Sequence, residues 1–252
     1  MIFYSVCFFI LGTIFGSFYN VVGYRIPKGE SILYPNSHCT KCGHELKAYE
    51  LIPIISFLFL GGKCKKCGDK ISWFYPIFEL LSGILFCISY LVFGFSLECL
   101  LSILFISMLL IVIISDYQTM TIPDSVLIVF LILILITKYF IGGFNIILTS
   151  LINGIISFII MFLIKKLGDF LFKRESMGGG DIKLLGIFGV VLGVPLSLVS
   201  IFLASIIALP ISLISLKSNK THEIPFGPYL SFAAIIILLS KIDINTIINI
   251  VH

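Results

Sequence analysis

The chain has 252 residues, 59% of them apolar and only 12% charged, with a mean hydropathy of +1.15. A soluble globule carries about a quarter charged residues, so this composition excludes one and points to an all-α polytopic membrane protein. Seventeen Lys and Arg against 13 acids give a formal charge of +4, but the cations gather in alternate loops rather than along one stripe. With no G-x-G-x-x-G or G-x-x-x-x-G-K-[ST] pattern either, no nucleic acid is expected as a partner and no nucleotide-binding domain of the usual kinds is present.

Ile2 to Gly23 is the first apolar segment, and it is long enough for a hydrocarbon core of about 30 Å, which takes about 20 residues. It has neither the cationic start nor the small-residue cleavage site of a removed signal peptide, so residues 1–24 are expected to form transmembrane helix 1. Gly12 and Gly16 share one helix face, where they would let a second helix come close.

Residues 25–72 form the one sizeable polar region. They include Arg25, Lys28, Lys41, Lys47, Lys63, Lys65, Lys66 and Lys70, and such enrichment marks a cytoplasmic loop. The N-terminus is therefore expected outside. Within the loop, Cys39-x-x-Cys42 and Cys64-x-x-Cys67 are each followed by glycine, Gly43 and Gly68. Two such pairs suit a four-thiolate zinc site, while a pair of disulfides fits poorly in a reducing cytosol. His38 and His44 flank the first pair, but with four thiols available they read as surface residues. Leu51 to Leu60 is apolar, is interrupted by Pro53 and is too short to span; it would rest the small zinc domain on the membrane. Cys7, Cys87 and Cys99 lie in apolar runs and read as packing residues.

The remaining residues, 73–252, are expected to be embedded in the membrane. The second span is predicted over Trp73–Phe93 and contains Glu79, either an interfacial acid or a supporting member of a site. Spans follow over about Ser96–Ser115, Pro123–Ile141 and Ile146–Ile164, then a short run from Asp181 to Gly193, then Pro195–Leu216 and Leu230–Leu239. About eight transmembrane helices are thus predicted, with the small zinc-binding domain between helices 1 and 2. Asp116 and Asp124 fall in the turn before the fourth span. The loop after the fifth, with Lys165, Lys166, Lys173 and Arg174, leads to Gly178-Gly179-Gly180-Asp181. Loop charge and span counting put Asp116 and Asp181 at one membrane face, the cytoplasmic one.

An acid held at membrane depth is costly and marks a functional site. Two of them together suggest aspartic protease chemistry, because carboxylates about 3 Å apart cannot both ionise and share one proton. The glycines before Asp181 would admit an extended peptide backbone; alternatively they form a turn and Asp181 caps the next helix. His222 and His252 lie far from any nucleophile signature, which weakens serine and cysteine protease readings.

In order along the chain, Gly16 to Arg25, the two cysteine pairs, Ile71 to Pro76 with Glu79, Asp116 to Asp124, Met177 to Leu185 and Ile224 to Tyr229 resemble the type IV prepilin peptidases. These are bifunctional leader peptidases and N-methyltransferases of bacterial pilus and type II secretion systems. The resemblance implies that Asp116 and Asp181 are catalytic, with Asp124, Gly178, Gly180 and Glu79 supporting. It implies structural zinc on Cys39, Cys42, Cys64 and Cys67, a methyltransferase role for residues 25–72 with S-adenosylmethionine as methyl donor, and a membrane peptidase over 73–252. The implied substrates are type IV prepilins or pseudopilins, cut after glycine between a basic leader and an apolar helix, at the inner membrane of a bacterium. Glu30, Glu45, Glu50 and Glu175 are the loop acids that would meet such a leader. The G-x-G-D motif is shared with presenilin-like intramembrane proteases, which are not expected to carry the cysteine pairs. From other classes, an ion transporter with Asp116, Asp124 and Asp181 along its path, or a zinc-stabilised scaffold, would leave part of this pattern unexplained.

Overall fold

The computed structural model describes residues 1–173, 175, 177–217 and 225–241; Arg174, Lys220, His222, Glu223, Ile224 and His252 lie outside them. The described chain is helical, with isolated two-residue bridges in place of β-strands. Five helical stretches are long and apolar enough to cross a membrane: Ile2–Lys28, Phe74–Phe93, Leu97–Thr119, Asp124–Phe172 and Val194–Ile214. The chain is accordingly a multi-pass membrane protein. It forms two compact units, Met1–Phe95 and the remainder from Ser96 onward.

The first unit is an antiparallel pair, α1 (Ile2–Arg25) and α3 (Phe74–Phe93). Their contact is built on small residues, because apolar side chains gain nothing over lipid and only close backbones add dispersion. A Cβ on Gly12 would stand 2.6 Å from the Ser82 carbonyl oxygen, and one on Gly16 would stand 2.9 Å from the Cα of Glu79. Phe8 stacks on Tyr90 at one end of the pair, and the Asn20 amide donates to the Tyr75 carbonyl (3.3 Å) at the other. The loop between carries two 3-10 turns, Ile26–Lys28 and Ala48–Leu51, and one short α-helix, α2 (Ile55–Phe59), inside the Leu51–Leu60 run.

In the second unit, α4 (Leu97–Thr119) is the centre: from Phe105 to Asp116 every residue is buried. A helix that is apolar on all sides belongs in a core, and α5 (Asp124–Phe172) and α8 (Gly227–Ser240) pack on it. The long α5 is two helical runs meeting at Gly142 and Gly143; Gly143 has φ +71°, which glycine alone adopts without steric cost. This break separates the fourth and fifth predicted spans. The second run continues past Ile164 to Phe172, so Lys165 and Lys166 lie on helix rather than in a loop.

Two helices are short. The 14 residues of α6 (Gly179–Leu192) and the 14 of α8 each reach about 21 Å, less than the hydrocarbon thickness of about 30 Å. The end of α6 is met by a cation: Lys138 Nζ, from α5, donates to the Val190 carbonyl (2.7 Å) and to Ser150 Oγ (2.8 Å). Helix ends leave carbonyls unpaired and carry partial negative charge, and Lys138 answers both. Ser157 and Ser197 join α5 to α7 (Val194–Lys217) through their hydroxyls, 2.9 Å apart.

Candidate active site and candidate metal centre

Asp116 lies within the last turn of α4, and not in the turn beyond it where the sequence placed it. The helix persists because the Thr119 hydroxyl donates back to the Ser115 carbonyl (2.9 Å), and Met120, at φ +53°, closes the turn by donating from its N–H to the Asp116 carbonyl (2.9 Å). The chain then reverses under two hydroxyl contacts. Ser115 Oγ donates to the Thr121 carbonyl (2.6 Å), and the Thr119 and Thr121 hydroxyls sit 2.7 Å apart. Ser115, which the sequence reading gave no role, thus fixes the connection to α5.

Asp181 stands in the first turn of α6, three residues after the N-cap Gly178, and no side-chain capping bond closes that terminus. The capping alternative therefore has no support in the geometry. Asp116 and Asp181 are 6% and 8% exposed, and they are close enough for the charge of one to act on the other. Asp116 Oδ2 accepts from the backbone N–H of Gly227 (3.0 Å), the first residue of α8. Asp116 thus meets the N-terminus of α8, where unpaired N–H groups and the helix dipole receive negative charge, while Asp181 sits in the first turn of α6.

Gly227, within the Ile224 to Tyr229 stretch, borders the candidate site through its bond to Asp116 and carried no assigned role in the sequence. A Cβ there would lie 2.6 Å from Asp116 Oδ2. The signal was a lone glycine held between Phe226 and Pro228 at a helix start. Ile122 links the parts, since its side chain is 3.0 Å from where a Gly180 Cβ would be and 3.4 Å from a Gly227 Cβ. Asp124 stands apart from the acid pair: it begins α5, is exposed, and is ion-paired with Lys183 at 2.7 Å. Because Lys183 follows Asp181 by two positions, this pair tethers the start of α5 to the first turns of α6.

Glu79 lies in the other unit and is buried on α3. It accepts from the Ile54 N–H at 2.7 Å, and Ile54 holds φ +61°, an uncommon backbone for a β-branched residue. Its observed work is to anchor the loop to the helix pair. Glu50 is spent internally: its side chain is 1% exposed, accepts from the Lys47 N–H (2.8 Å), and meets His44 at 3.2 Å. The Lys47 N–H, helped by His44, holds this carboxyl below its ordinary value. Glu50 is thereby removed from the acids available to a basic leader, whereas Glu30, Glu45 and Glu175 are exposed.

The four thiols of Cys39, Cys42, Cys64 and Cys67 lie within 4.8 Å of one another, with Cys39 and Cys67 at 3.8 Å and Cys42 and Cys64 at 3.9 Å. A tetrahedron of sulfurs about 2.3 Å from zinc has edges of about 3.8 Å, so the donor set fits that ion. No disulfide forms among the described residues, and neither histidine belongs to the cluster. Without an ion the thiols titrate as one set: the backbone N–H groups of Cys42 and Lys41 pull the Cys39 thiol down to about 6, while Cys67, despite a hydrogen bond from the Asp69 backbone, is pushed up by burial and its sulfur neighbours.

Residues 10–93 match the Bacterial Peptidase A24 N-terminal domain, and residues 103–213 match the Type IV leader peptidase family. A Bacillus subtilis protein named prepilin leader peptidase/N-methyltransferase is 36% identical, over 92% of this chain and 92% of its own. The chain belongs to the type IV leader peptidase family. Proteins of the same name from Vibrio cholerae and Pseudomonas aeruginosa are 34% and 31% identical, each over 94% of this chain and over 97% and 90% of their own. No solved structure matches it.

Proposed function

We propose that this protein is an aspartic endopeptidase that removes the basic leader of type IV prepilins or pseudopilins after glycine, with Asp116 and Asp181 as its catalytic pair. One carboxylate takes a proton from a water molecule, whose oxygen attacks the scissile carbonyl. The other, protonated, donates to the carbonyl oxygen as charge develops there. Collapse of the tetrahedral intermediate breaks the C–N bond, and the proton returns to the departing amine, the new N-terminus of the pilin. The observation that carries this reading is two buried carboxyls brought within electrostatic reach of each other, one of them held by the Gly227 N–H. Burial raises the strength of each interaction and keeps the attacking water few-partnered.

Residues 25–72 are the proposed methyltransferase region, with Cys39, Cys42, Cys64 and Cys67 holding a structural zinc ion and residues 73–252 forming the peptidase domain. S-adenosylmethionine, when bound, supplies a methyl group to the new amine. The cleft beside α2 offers rings and lysines but no acid to face a sulfonium, so it does not fit that donor. The basic loop between α1 and α3 supports a cytoplasmic position for that loop, an outside N-terminus and an active site on the cytoplasmic face of the bacterial inner membrane. The exposed acids Glu30, Glu45 and Glu175 are the side chains free to meet a basic leader.

Purified protein in detergent, incubated with a prepilin and followed by mass spectrometry, tests this. The expected result is loss of a leader-sized mass in wild type, abolished in Asp116→Asn and in Asp181→Asn. Cleavage at the wild-type rate by either variant would refute the paired-carboxylate mechanism. A methyl mass added to the product only when S-adenosylmethionine is supplied would establish the second activity.

A further inference from the structure

The two cysteine knuckles are copies of one fold, offset by 25 positions (39 to 64, 43 to 68). Cys39 N–H donates to the His44 carbonyl (2.9 Å) as Cys64 does to that of Asp69 (2.8 Å), and Gly43 donates to Cys39 as Gly68 does to Cys64, both at 2.9 Å. Leu46 donates to Ser37 and Ile71 to Gly62, both at 2.8 Å. In each copy a single antiparallel bridge closes the knuckle, and there the copies diverge. The first bridge pairs His38 with Glu45; the second pairs Lys63 with Lys70.

Like charges directly opposite across a bridge repel. Neighbouring cations in the loop have partners: Lys41 bonds Asp69 (2.9 Å) and Lys65 bonds the Tyr49 hydroxyl (2.9 Å). Among the described residues no ion pair is made by Lys63 or Lys70. Both line an open cleft of about 430 Å³, together with Phe57, Leu58, Ile71 and Trp73, and no acid lines it. The rings of Phe57 and Trp73 form its apolar wall, meeting edge to face at 4.7 Å.

We propose that this cleft binds the phosphate of an anionic phospholipid headgroup between Lys63 and Lys70. A lipid is favoured over a soluble anion by what surrounds the lysines. Trp73 immediately precedes α3, a helix apolar enough to cross the membrane, and tryptophan gathers at the level where headgroups meet hydrocarbon. Trp73, Leu58 and Phe59 are 65%, 65% and 88% exposed, an apolar surface beside the lysines that acyl chains would cover. The headgroup phosphate answers the paired cations, while the chains answer the exposed rings and leucine. This anchors the zinc-bearing loop to the membrane surface that its flanking helices enter.

Trp73 is the one tryptophan of the chain, so its fluorescence reports on the cleft alone. The full-length protein is placed in nanodiscs containing phosphatidylglycerol and phosphatidylcholine, with brominated chains on one lipid or the other at equal mole fraction. Brominated phosphatidylglycerol is expected to quench Trp73 more strongly than brominated phosphatidylcholine. The ratio of the two apparent association constants should fall about 25-fold in Lys63→Gln/Lys70→Gln, at about fivefold for each lysine near an anionic surface. Lys63→Arg/Lys70→Arg should keep the preference. The charge-matched Lys65→Gln/Lys66→Gln should keep it too, with zinc content equal to wild type in every variant. Equal quenching by the two lipids in wild type overturns the proposal without reference to any variant. So does equal loss of preference in the Lys65/Lys66 control. Reversal of the phosphatidylglycerol quenching by millimolar inorganic phosphate or S-adenosylmethionine would give the site to a soluble ligand and overturn it as well.

Discussion

Replacing Gly227 with alanine puts a methyl group where the acid pair has no room. Its Cβ would stand 2.6 Å from Asp116 Oδ2. Ordinary contact begins near 3.4 Å, so Asp116 or the start of α8 must move by about 0.8 Å, and a displacement near 1 Å at a reacting group costs about 10²-fold in rate. The same movement stretches the 3.0 Å bond from the Gly227 N–H; a hydrogen bond to a charged group contributes about 1.5–3 kcal/mol, which again corresponds to about 10- to 150-fold. Prepilin cleavage measured by mass spectrometry over a range of substrate concentrations should therefore show kcat reduced about 10²-fold with KM little changed. The glycines before Asp181 calibrate the effect. A Cβ on Gly179 meets nothing within 4 Å, one on Gly178 lies 3.4 Å from Asp181 Oδ2, and one on Gly180 lies 3.0 Å from the Ile122 Cβ. Alanine at Gly179 should be close to neutral, at Gly178 mild, and at Gly180 intermediate. Wild-type kcat in Gly227→Ala would refute the reasoning. A large rise in KM for Gly179→Ala would instead mean that substrate backbone fills the open space there.

Lys138→Met removes the cation that meets the end of α6 and leaves the Val190 carbonyl and Ser150 without their donor. Losing hydrogen bonds to a charged group should lower stability by about 2 kcal/mol, read as a fall in unfolding midpoint in detergent, and an unchanged midpoint would remove Lys138 from this role. At the metal centre, elemental analysis should find a single zinc ion per chain, lost in Cys39→Ser and in Cys64→Ser. After zinc removal, Cys39, with a pKa near 6 instead of 9.0, should be mostly thiolate at pH 7, because a lowered thiol pKa extends the ionised range downward. Its alkylation rate, followed by peptide mass spectrometry, should climb through about pH 6 and level off, whereas an ordinary thiol climbs near 8.5. A midpoint above 8 at Cys39 would contradict the hydrogen bonds from Cys42 and Lys41.

What could be read in the sequence was whatever one residue type or one spacing dictates. Cysteine pairs each followed directly by a glycine, Gly43 and Gly68, fold as knuckles under local bonds alone, so the four-thiol cluster was legible. Long apolar runs made the helices legible, and the gap predicted between Ile141 and Ile146 is where Gly142 and Gly143 break α5. The position of Asp116 within α4 was not legible, because it depends on Thr119 and Ser115 hydroxyls bonding the backbone across the turn, and such bonds have no periodicity. Nor was the part played by Gly227, which acts on a residue 111 positions away. Contacts of that range follow from how α8 packs on α4, and a motif can signal them only as a residue that local structure does not require. The same holds for Lys63 and Lys70. As a composition they were part of a basic loop; only the bridge that sets them face to face, where the sister knuckle pairs His38 with Glu45, turns two surface lysines into a place for an anion.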